Sequence, residues 1–322
     1  MSYNSNDRRY YMLICFLVAL TFSLLLSNLQ VDAYIDRVSY LAYAEDSLLV
    51  LGRNFNSGWL KLIFNEPLWL TINIILSTIF SVENVVRFII FCSSFLTFYL
   101  VLSNVDKRFF VLALLFLLLP QVLKNNIIHL RQGLAVAVFL VGWFSLNYKT
   151  KYLCFVSAAL IHSSFVIVLV GIVGVNILLY LRFSYGLRSI IFIIVGLCIA
   201  FFGLYFAELL GARQGSSYQG KSSSASGLAF IYWSGFFVLF TLQSKNFLKL
   251  HAIPTFFILL YLSSYFFLPV TARVYESVLL IILLSTLDFK GLYRYLVSIY
   301  FIFYFFATWA PRVGEPGLGW FV

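Results

Sequence analysis

Apolar runs separated by short polar stretches fill most of the chain, and they constrain the fold more than any motif does. Hydrophobic residues make up 62% of the 322 residues and charged residues only 11%, whereas a soluble domain is nearer half apolar and a quarter charged. We therefore expect lipid to solvate much of the chain. The runs lie at 10–27, 67–81, 85–103, 109–123, 127–146, 152–181, 189–210, 227–243, 252–269, 271–287 and 292–309.

These runs predict an all-α polytopic membrane protein with about ten to eleven transmembrane or re-entrant helices, in a single integral membrane domain over residues 1–322. Segment 28–66 mixes charged and aromatic residues with apolar residues at helical spacing, which predicts an outer segment of one or two interfacial amphipathic helices. Segment 211–226 is rich in Gly and Ser and is expected to be a flexible outer loop.

Basic residues in short loops predict the orientation, because cytoplasmic loops collect Lys and Arg. The candidate cytoplasmic loops are 107–108, 149–151, 182–188, 245–249 and 290–294. All five loops lie on the cytoplasmic side of the membrane under two conditions. Run 67–81 must stay at the outer interface, or enter the membrane and return on the same side. Run 152–181 must form a hairpin that turns at residues 162–164. The N-terminus is then cytoplasmic, with an uncleaved first span, and the C-terminal tail lies outside.

In this topology the polar residues that interrupt the apolar runs fall on the outer side. A charge at the bilayer centre costs about 2.5–3.5 kcal/mol, so such residues usually pair or line a wet cavity. The sequence therefore predicts one outward-facing polar cavity near the outer leaflet. The residues concerned are Asp36, Arg37, Glu45, Asp46, Arg53, Glu66, His129, Arg131, Gln132, His162, Arg213, Arg273 and Glu276.

Three motifs carry candidate chemistry. Arg131 and Gln132 stand at the start of an apolar helix, in the motif LRQGLA (130–135). The planar guanidinium of Arg131 would match phosphate oxygens. Alternatively, Arg131 would snorkel to the interface or pair with a structural carboxylate. His162 lies beside two serines in an apolar run, as a proton carrier or as an interhelical hydrogen-bonding residue. Arg273 and Glu276 share a helix face, either as a salt bridge or with Glu276 orienting Arg273 towards an anion.

The outer segment adds aromatic rings that would stack on sugars and carboxylates that would bind hydroxyls or act as a base; a merely solvated helix face is the alternative. The rings are Tyr34, Tyr40, Tyr43 and Trp59. Only three His occur and the four Cys are scattered, so no metal site or cofactor is predicted. The net charge of +10 follows from the basic loops, so nucleic-acid binding is not indicated.

The order of these features resembles the EpsG/Wzy family of bacterial polysaccharide polymerases. The likeness rests on Asp36 and Tyr40, Glu66–Pro67, LRQGLA at 130–135, the A-x-x-H-S-S pattern at 159–164 and Arg273 near Glu276, and it covers about residues 30 to 280.

The resemblance implies a GT-C-like glycosyltransferase in the bacterial inner membrane, with its active site facing the periplasm or exterior. It would move a growing O-antigen, capsule or exopolysaccharide chain from undecaprenyl diphosphate onto a sugar hydroxyl of another lipid-linked unit, without nucleotide sugar, metal or other cofactor. Its partners would be undecaprenyl-diphosphate-linked oligosaccharides and the bilayer, with a flippase and a chain-length regulator as further candidates.

The resemblance also suggests roles for individual residues. Cations would stabilise the departing diphosphate: Arg131 and Arg273, supplemented by Arg213 or Arg53. The base or orienting group for the attacking hydroxyl would be His162, Asp36 or Glu66. Supporting residues would be Gln132, Ser163, Glu276 and Tyr40. Inversion and retention of the anomeric centre both remain open at this stage.

Two rival functions draw on the same features. A transporter or flippase of a lipid-linked or anionic saccharide would also need intramembrane Arg and His and broken helices, although no internal repeat is visible. Another membrane transferase, such as an O-antigen ligase or an O-acyltransferase, would share the site chemistry. A purely structural subunit fits poorly with so many polar clusters inside apolar segments.

Overall fold

The computed structural model describes residues 5–211, 227–268 and 270–321, and within these ranges it is helical without a β-strand. The helices are α1 (Ser5–Ser27), α2 (Arg37–Asn56), α3 (Trp59–Phe64), α4 (Pro67–Ser77), α5 (Val82–Ser103), α6 (Phe110–Leu117), α7 (Pro120–Ile127), α8 (Leu130–Phe144), α9 (Tyr148–Ile161), α10 (Ser164–Tyr180), α11 (Tyr185–Leu209), α12 (Leu228–Thr241), α13 (Lys245–Leu250), α14 (Ala252–Ser264), α15 (Val270–Ser285) and α16 (Leu292–Trp309). The predicted all-α class is confirmed for the described residues.

Five helical segments in the described ranges are long and apolar enough to cross a membrane, which supports a polytopic membrane protein. They are Asp7–Ser27, Val82–Ser103, Tyr185–Leu209, Val270–Asp288 and Leu292–Arg312. The segment containing α6 and the helix α7 would form a sixth span if the pair crosses as one element bent by 65°. The helices in the remaining apolar runs have only 10–17 residues, because non-helical residues interrupt or shorten these runs. They are shorter than the ten to eleven predicted spans would require.

Two of these regions are those for which the sequence predicted something other than one simple membrane crossing. Helix α4 has 11 residues and is about 16 Å long, well short of a hydrocarbon core of about 30 Å. The run 152–181 is interrupted between α9 and α10, with His162 in an extended conformation (φ −146°, ψ 123°). The expected break at residues 162–164 is therefore present.

Packing groups the chain into two compact units: residues up to Ser163 with the segment from Ala307 onward, and Ser164–Phe306. In the first unit, α5 is the central helix, and it packs against α1 and α8, while α8 also packs against α9 and α2 packs against α4. Small buried side chains on α5, Ser93 and Ser94, satisfy their hydroxyls on carbonyls of their own helix. Polar residues thereby enter a core of apolar helices at little cost.

The second unit is built around α14 and α15, against which α10, α11 and α12 pack. Glycines allow close approach here: a Cβ on Gly171 would meet the ring of Phe256. Helix α11 leaves most of its apolar side chains exposed, including Phe201 and Phe206, as expected for a helix that faces lipid.

The outer segment 28–66 contains two helices, α2 and α3. The buried side of α2 carries Arg37, Tyr40 and Ser47, whereas Leu48 and Leu49 are exposed. A helix with its polar stripe against protein and with exposed leucines is suited to a membrane boundary. The loop predicted at 211–226 lies, from residue 212 onward, outside the described residues, as does Pro269.

Candidate functional site

A buried carboxylate joins three of the predicted site residues in the first unit. Glu66 is 5% exposed. Its Oε2 accepts from Arg131 Nη1, while its Oε1 lies 2.8 Å from His162 Nδ1 and accepts from the backbone N–H of Ser163 at 3.4 Å. Both carboxylate oxygens are therefore engaged, one by a permanent cation and the other by an imidazole. We call Arg131, Glu66 and His162 the Arg–Glu–His relay.

Local backbone geometry places each member of the relay. Glu66 precedes Pro67 at the N-cap position of α4, and its backbone is left-handed (φ 62°, ψ 52°). This is unusual, because a residue before proline normally stays extended and a side chain at positive φ is strained. The break after α9 directs His162 out of the helical repeat. Backbone strain of about 1–3 kcal/mol, as at the positive φ of Glu66, is typical of functional sites.

Aromatic rings from the outer segment surround the guanidinium of Arg131. Its Cζ lies 5.8 Å from the ring centroid of Tyr40 and 5.2 Å from that of Tyr43. Both tyrosines pack edge-on against Trp69, which is almost fully buried. Burial raises the pKa of the Tyr40 phenol, while the Arg131 cation opposes that shift. Arg131 Nε is also buried and has no hydrogen-bond partner among the described residues.

Three helices of the first unit begin at this site. Glu66, His129 and Asp36 stand at the N-cap positions of α4, α8 and α2, and none of the three side chains bonds to the backbone N–H groups of its own helix. Contacts bring these starts together: Asp36 Oδ2 lies 3.8 Å from His129 Nε2, and Glu66 reaches Arg131 in the first turn of α8. Helix starts carry partial positive charge and free N–H groups, which favour an anion.

Arg37 is a buried cation whose placement the sequence alone did not anticipate. The side chain is fully buried; Nε donates to the Ile127 carbonyl at 2.7 Å and Nη1 to the Gln30 carbonyl at 3.1 Å, and Cζ lies 4.5 Å from the Tyr34 ring. Nη2 has no partner among the described residues. Burial lowers the pKa of Arg37 to about 10.

The C-terminal tail closes over the start of the outer segment. Ile35 donates its backbone N–H to the Trp320 carbonyl at 3.0 Å, and Tyr34 forms an isolated antiparallel bridge with Phe321. This contact lies directly before Asp36. No motif in the tail pointed to it, because the contact is made by backbone groups over a long sequence separation.

The other predicted residues have different placements. Gln132 is buried in the first turn of α8, next to Arg131, and Ser163 is half-buried beside Glu66. Arg53 is exposed near the end of α2, about 20 Å along the helix axis from Tyr40, so the structure does not bring it to the relay. Arg213 lies outside the described residues.

Arg273 and Glu276 belong to the second unit, on one face of α15. Ser277 donates its hydroxyl to the Arg273 carbonyl at 2.8 Å and shares a 3.0 Å contact with Ser164. Glu276 lies within electrostatic range of Tyr261 and Tyr304. These tyrosines belong to a larger aromatic cluster, in which Tyr261 stacks on Tyr275 with the ring centroids 4.2 Å apart.

Across the described residues, no group of three or more His, Cys, Asp or Glu side chains is placed to hold a metal ion. Comparison of the chain with protein-family models, with curated proteins and with solved structures finds no match.

Proposed function

We propose that this protein is a polysaccharide polymerase of the bacterial inner membrane. It transfers a growing glycan from undecaprenyl diphosphate onto the terminal sugar hydroxyl of a second lipid-linked repeat unit at the outer leaflet. The observation that carries the proposal is the Arg–Glu–His relay, a proton-transfer arrangement at the meeting point of three helix starts in an apolar chain.

His162 is the proposed general base. With Nδ1 bonded to Glu66, the neutral ring holds its proton on Nδ1, so Nε2 is the nitrogen that takes the proton from the acceptor hydroxyl. The acceptor oxygen then bonds to the anomeric carbon, the bond from that carbon to the phosphate oxygen breaks, and the diphosphate leaves with the electron pair. Glu66 is a positioning residue, because it orients the imidazole and stabilises the imidazolium.

The departing diphosphate gains negative charge, which fixed donors stabilise best in a site shielded from water. The uncapped start of α8 and the buried Nε of Arg131 are donors of this kind. Because both oxygens of Glu66 are engaged, the carboxylate is poorly placed to act as a nucleophile. A single displacement follows, and the proposed stereochemical outcome is inversion at the anomeric centre.

The test uses the purified protein in proteoliposomes with the lipid-linked repeat unit extracted from cells that lack this protein. A ladder of longer lipid-linked glycans is the expected product of the wild type, and Arg131→Ala is expected to abolish it while the protein still inserts. Arg273→Ala is a separate prediction from the sequence, with the same expected loss.

Two results would favour the rival functions. Movement of the lipid between leaflets without chain growth indicates a flippase. Transfer of the glycan only to a different acceptor indicates a ligase. Polymer at the wild-type level in Arg131→Ala removes that residue from the proposed mechanism.

A further inference from the structure

Helix α7 is short and polar, yet it is buried in the first unit. Its residues Asn125 and Asn126 are 3% and 2% exposed. The side-chain oxygen of each is buried and has no hydrogen-bond partner among the described residues. Buried amide oxygens are nearly always hydrogen-bonded, so two adjacent amide oxygens without a partner need an explanation. One explanation is a ligand that supplies the missing hydrogen bonds.

The two amides lie beside the Arg–Glu–His relay. A Cβ on Gly133 would overlap the Asn125 carbonyl oxygen and would lie 3.3 Å from Asn126 Oδ1. Gly133 is two residues after Arg131 on α8, so α7 rests directly on the helix that carries the cation. Arg37 also bonds to the last residue of α7, Ile127. Helix α7 follows the 65° bend at Pro120, and broken helices in membrane proteins are buried in protein or line a wet cavity.

The chemistry of an amide selects the class of ligand. An amide offers one acceptor and two donors, whereas a phosphate offers only acceptors and repels the amide oxygen. A sugar hydroxyl both donates and accepts, so neighbouring hydroxyls on one ring satisfy an amide. Exchange of the oxygen and nitrogen positions within either amide leaves this match unchanged.

We infer that Asn125 and Asn126 form a hydroxyl-binding subsite for a sugar ring of the lipid-linked glycan. The inference rests on the proposed function for the identity of the glycan. The subsite recognises sugar, while the cationic donors at the start of α8 hold the diphosphate. Asn125→Leu and Asn126→Leu replace each amide with an apolar side chain of similar size.

The test measures binding and thermal unfolding of the full chain in detergent. Two probes are used: bare undecaprenyl diphosphate and the lipid-linked repeat unit extracted from cells that lack this protein. The wild type is expected to prefer the glycan-bearing lipid, and each Leu variant should lose that preference by about tenfold or more, because a hydrogen-bonding group is removed. Binding of bare undecaprenyl diphosphate should stay within about twofold.

Thermal unfolding separates this role from a structural one. Replacement of a buried amide whose oxygen has no partner should leave Tm equal or higher. The control is Asn147→Leu, since Asn147 Oδ1 accepts from the Lys149 N–H at 2.9 Å and caps α9. That variant should unfold at a lower temperature and keep the wild-type lipid preference.

Three results overturn the subsite: no preference for the glycan-bearing lipid in the wild type, an unchanged preference in both Leu variants, or a lower Tm in both.

Failure of the proposed polymerase function gives a different pattern of binding and chain growth. A wild type that binds the glycan through these amides without extending it keeps the subsite and rejects polymerase activity. Normal chain growth in both Leu variants rejects the subsite and keeps the polymerase.

Discussion

At the scale of single residues, the site depends on a carboxylate that serves two partners. Glu66, His162 and Arg131 were each candidates from the sequence, but with different roles. The structure joins them because Glu66 sits at positive φ before Pro67 and His162 sits at a helix break. In the proposed mechanism their roles separate: Glu66 positions the imidazole, and His162 takes the proton from the acceptor hydroxyl.

Glu66→Gln is expected to destabilise the protein strongly, because it leaves the Arg131 cation buried without its counter-charge. Loss of one partner of a buried ion pair costs about 3–5 kcal/mol. The control is Glu83→Gln, which removes an exposed pair with Arg87, the two side chains being 57% and 28% exposed; it should cost at most about 1 kcal/mol. Thermal unfolding in detergent measures both.

The double variant Glu66→Gln/Arg131→Gln separates stability from activity. Removal of both charges should restore much of the free energy of unfolding that either single change costs. Chain growth should stay absent, because the Arg131 cation proposed to stabilise the diphosphate is gone and the imidazole has lost its orienting carboxylate. A double variant no more stable than Glu66→Gln alone would contradict the pairing.

His162→Gln is expected to slow chain growth by about 10²–10⁴-fold, the usual contribution of a general base. His251 is a half-buried histidine in the second unit, and its Nε2 lies 3.0 Å from Asp288 Oδ2. His251→Gln should retain a rate close to the wild type once the amount of folded protein is matched. Initial rates in proteoliposomes measure both variants, and equal losses would remove the special role of His162.

At the scale of helices, the close approach of α7 to α8 holds the polar amides against the motif LRQGLA. Gly133 is the residue that permits this approach, since any side chain would overlap the Asn125 carbonyl oxygen. A glycine in LRQGLA permits close packing, but the sequence could not identify α7 as the partner. A glycine permits another backbone to approach closely, but which segment approaches depends on the tertiary structure.

Gly133→Ala is therefore expected to destabilise the first unit by about 1–3 kcal/mol through overpacking. Gly174 on α10 is the matched control, because a Cβ there would have no atom within 4 Å. Gly174→Ala should leave stability unchanged or raise it by up to about 1 kcal/mol, the difference in helix propensity. Thermal unfolding of the two variants in the same detergent makes the comparison.

At the scale of the whole molecule, the prediction that remains to be measured is orientation. The basic loops predict that Leu146, at the turn between α8 and α9, faces the cytoplasm, and that the outer segment faces the opposite side. Leu146 and Ser57 are both exposed, so cysteines at these positions are accessible to reagents.

In a cysteine-free background, Ser57→Cys should react with an impermeant thiol reagent added to intact cells. Leu146→Cys should react only after the cells are permeabilised. The two residues lie in the same compact unit, so the pair gives a matched comparison. The reverse pattern would invert the predicted topology and move the proposed site to the cytoplasmic side.

Sequence patterns were enough to predict an all-α membrane protein and to single out the charged residues that would be costly in lipid. Hydropathy and the free energy of a charge in lipid depend on each residue and not on the fold. The sequence also located the break at His162, since the polar triplet interrupts an apolar run. Which of these residues contact one another depends on how the helices pack. Glu66 and His162 are 96 residues apart, and their contact follows from packing of α4 against α9, which no local pattern encodes. The same packing left Arg53 at the far end of α2 and buried Arg37, Asn125 and Asn126, because burial is a property of neighbours and not of residue type.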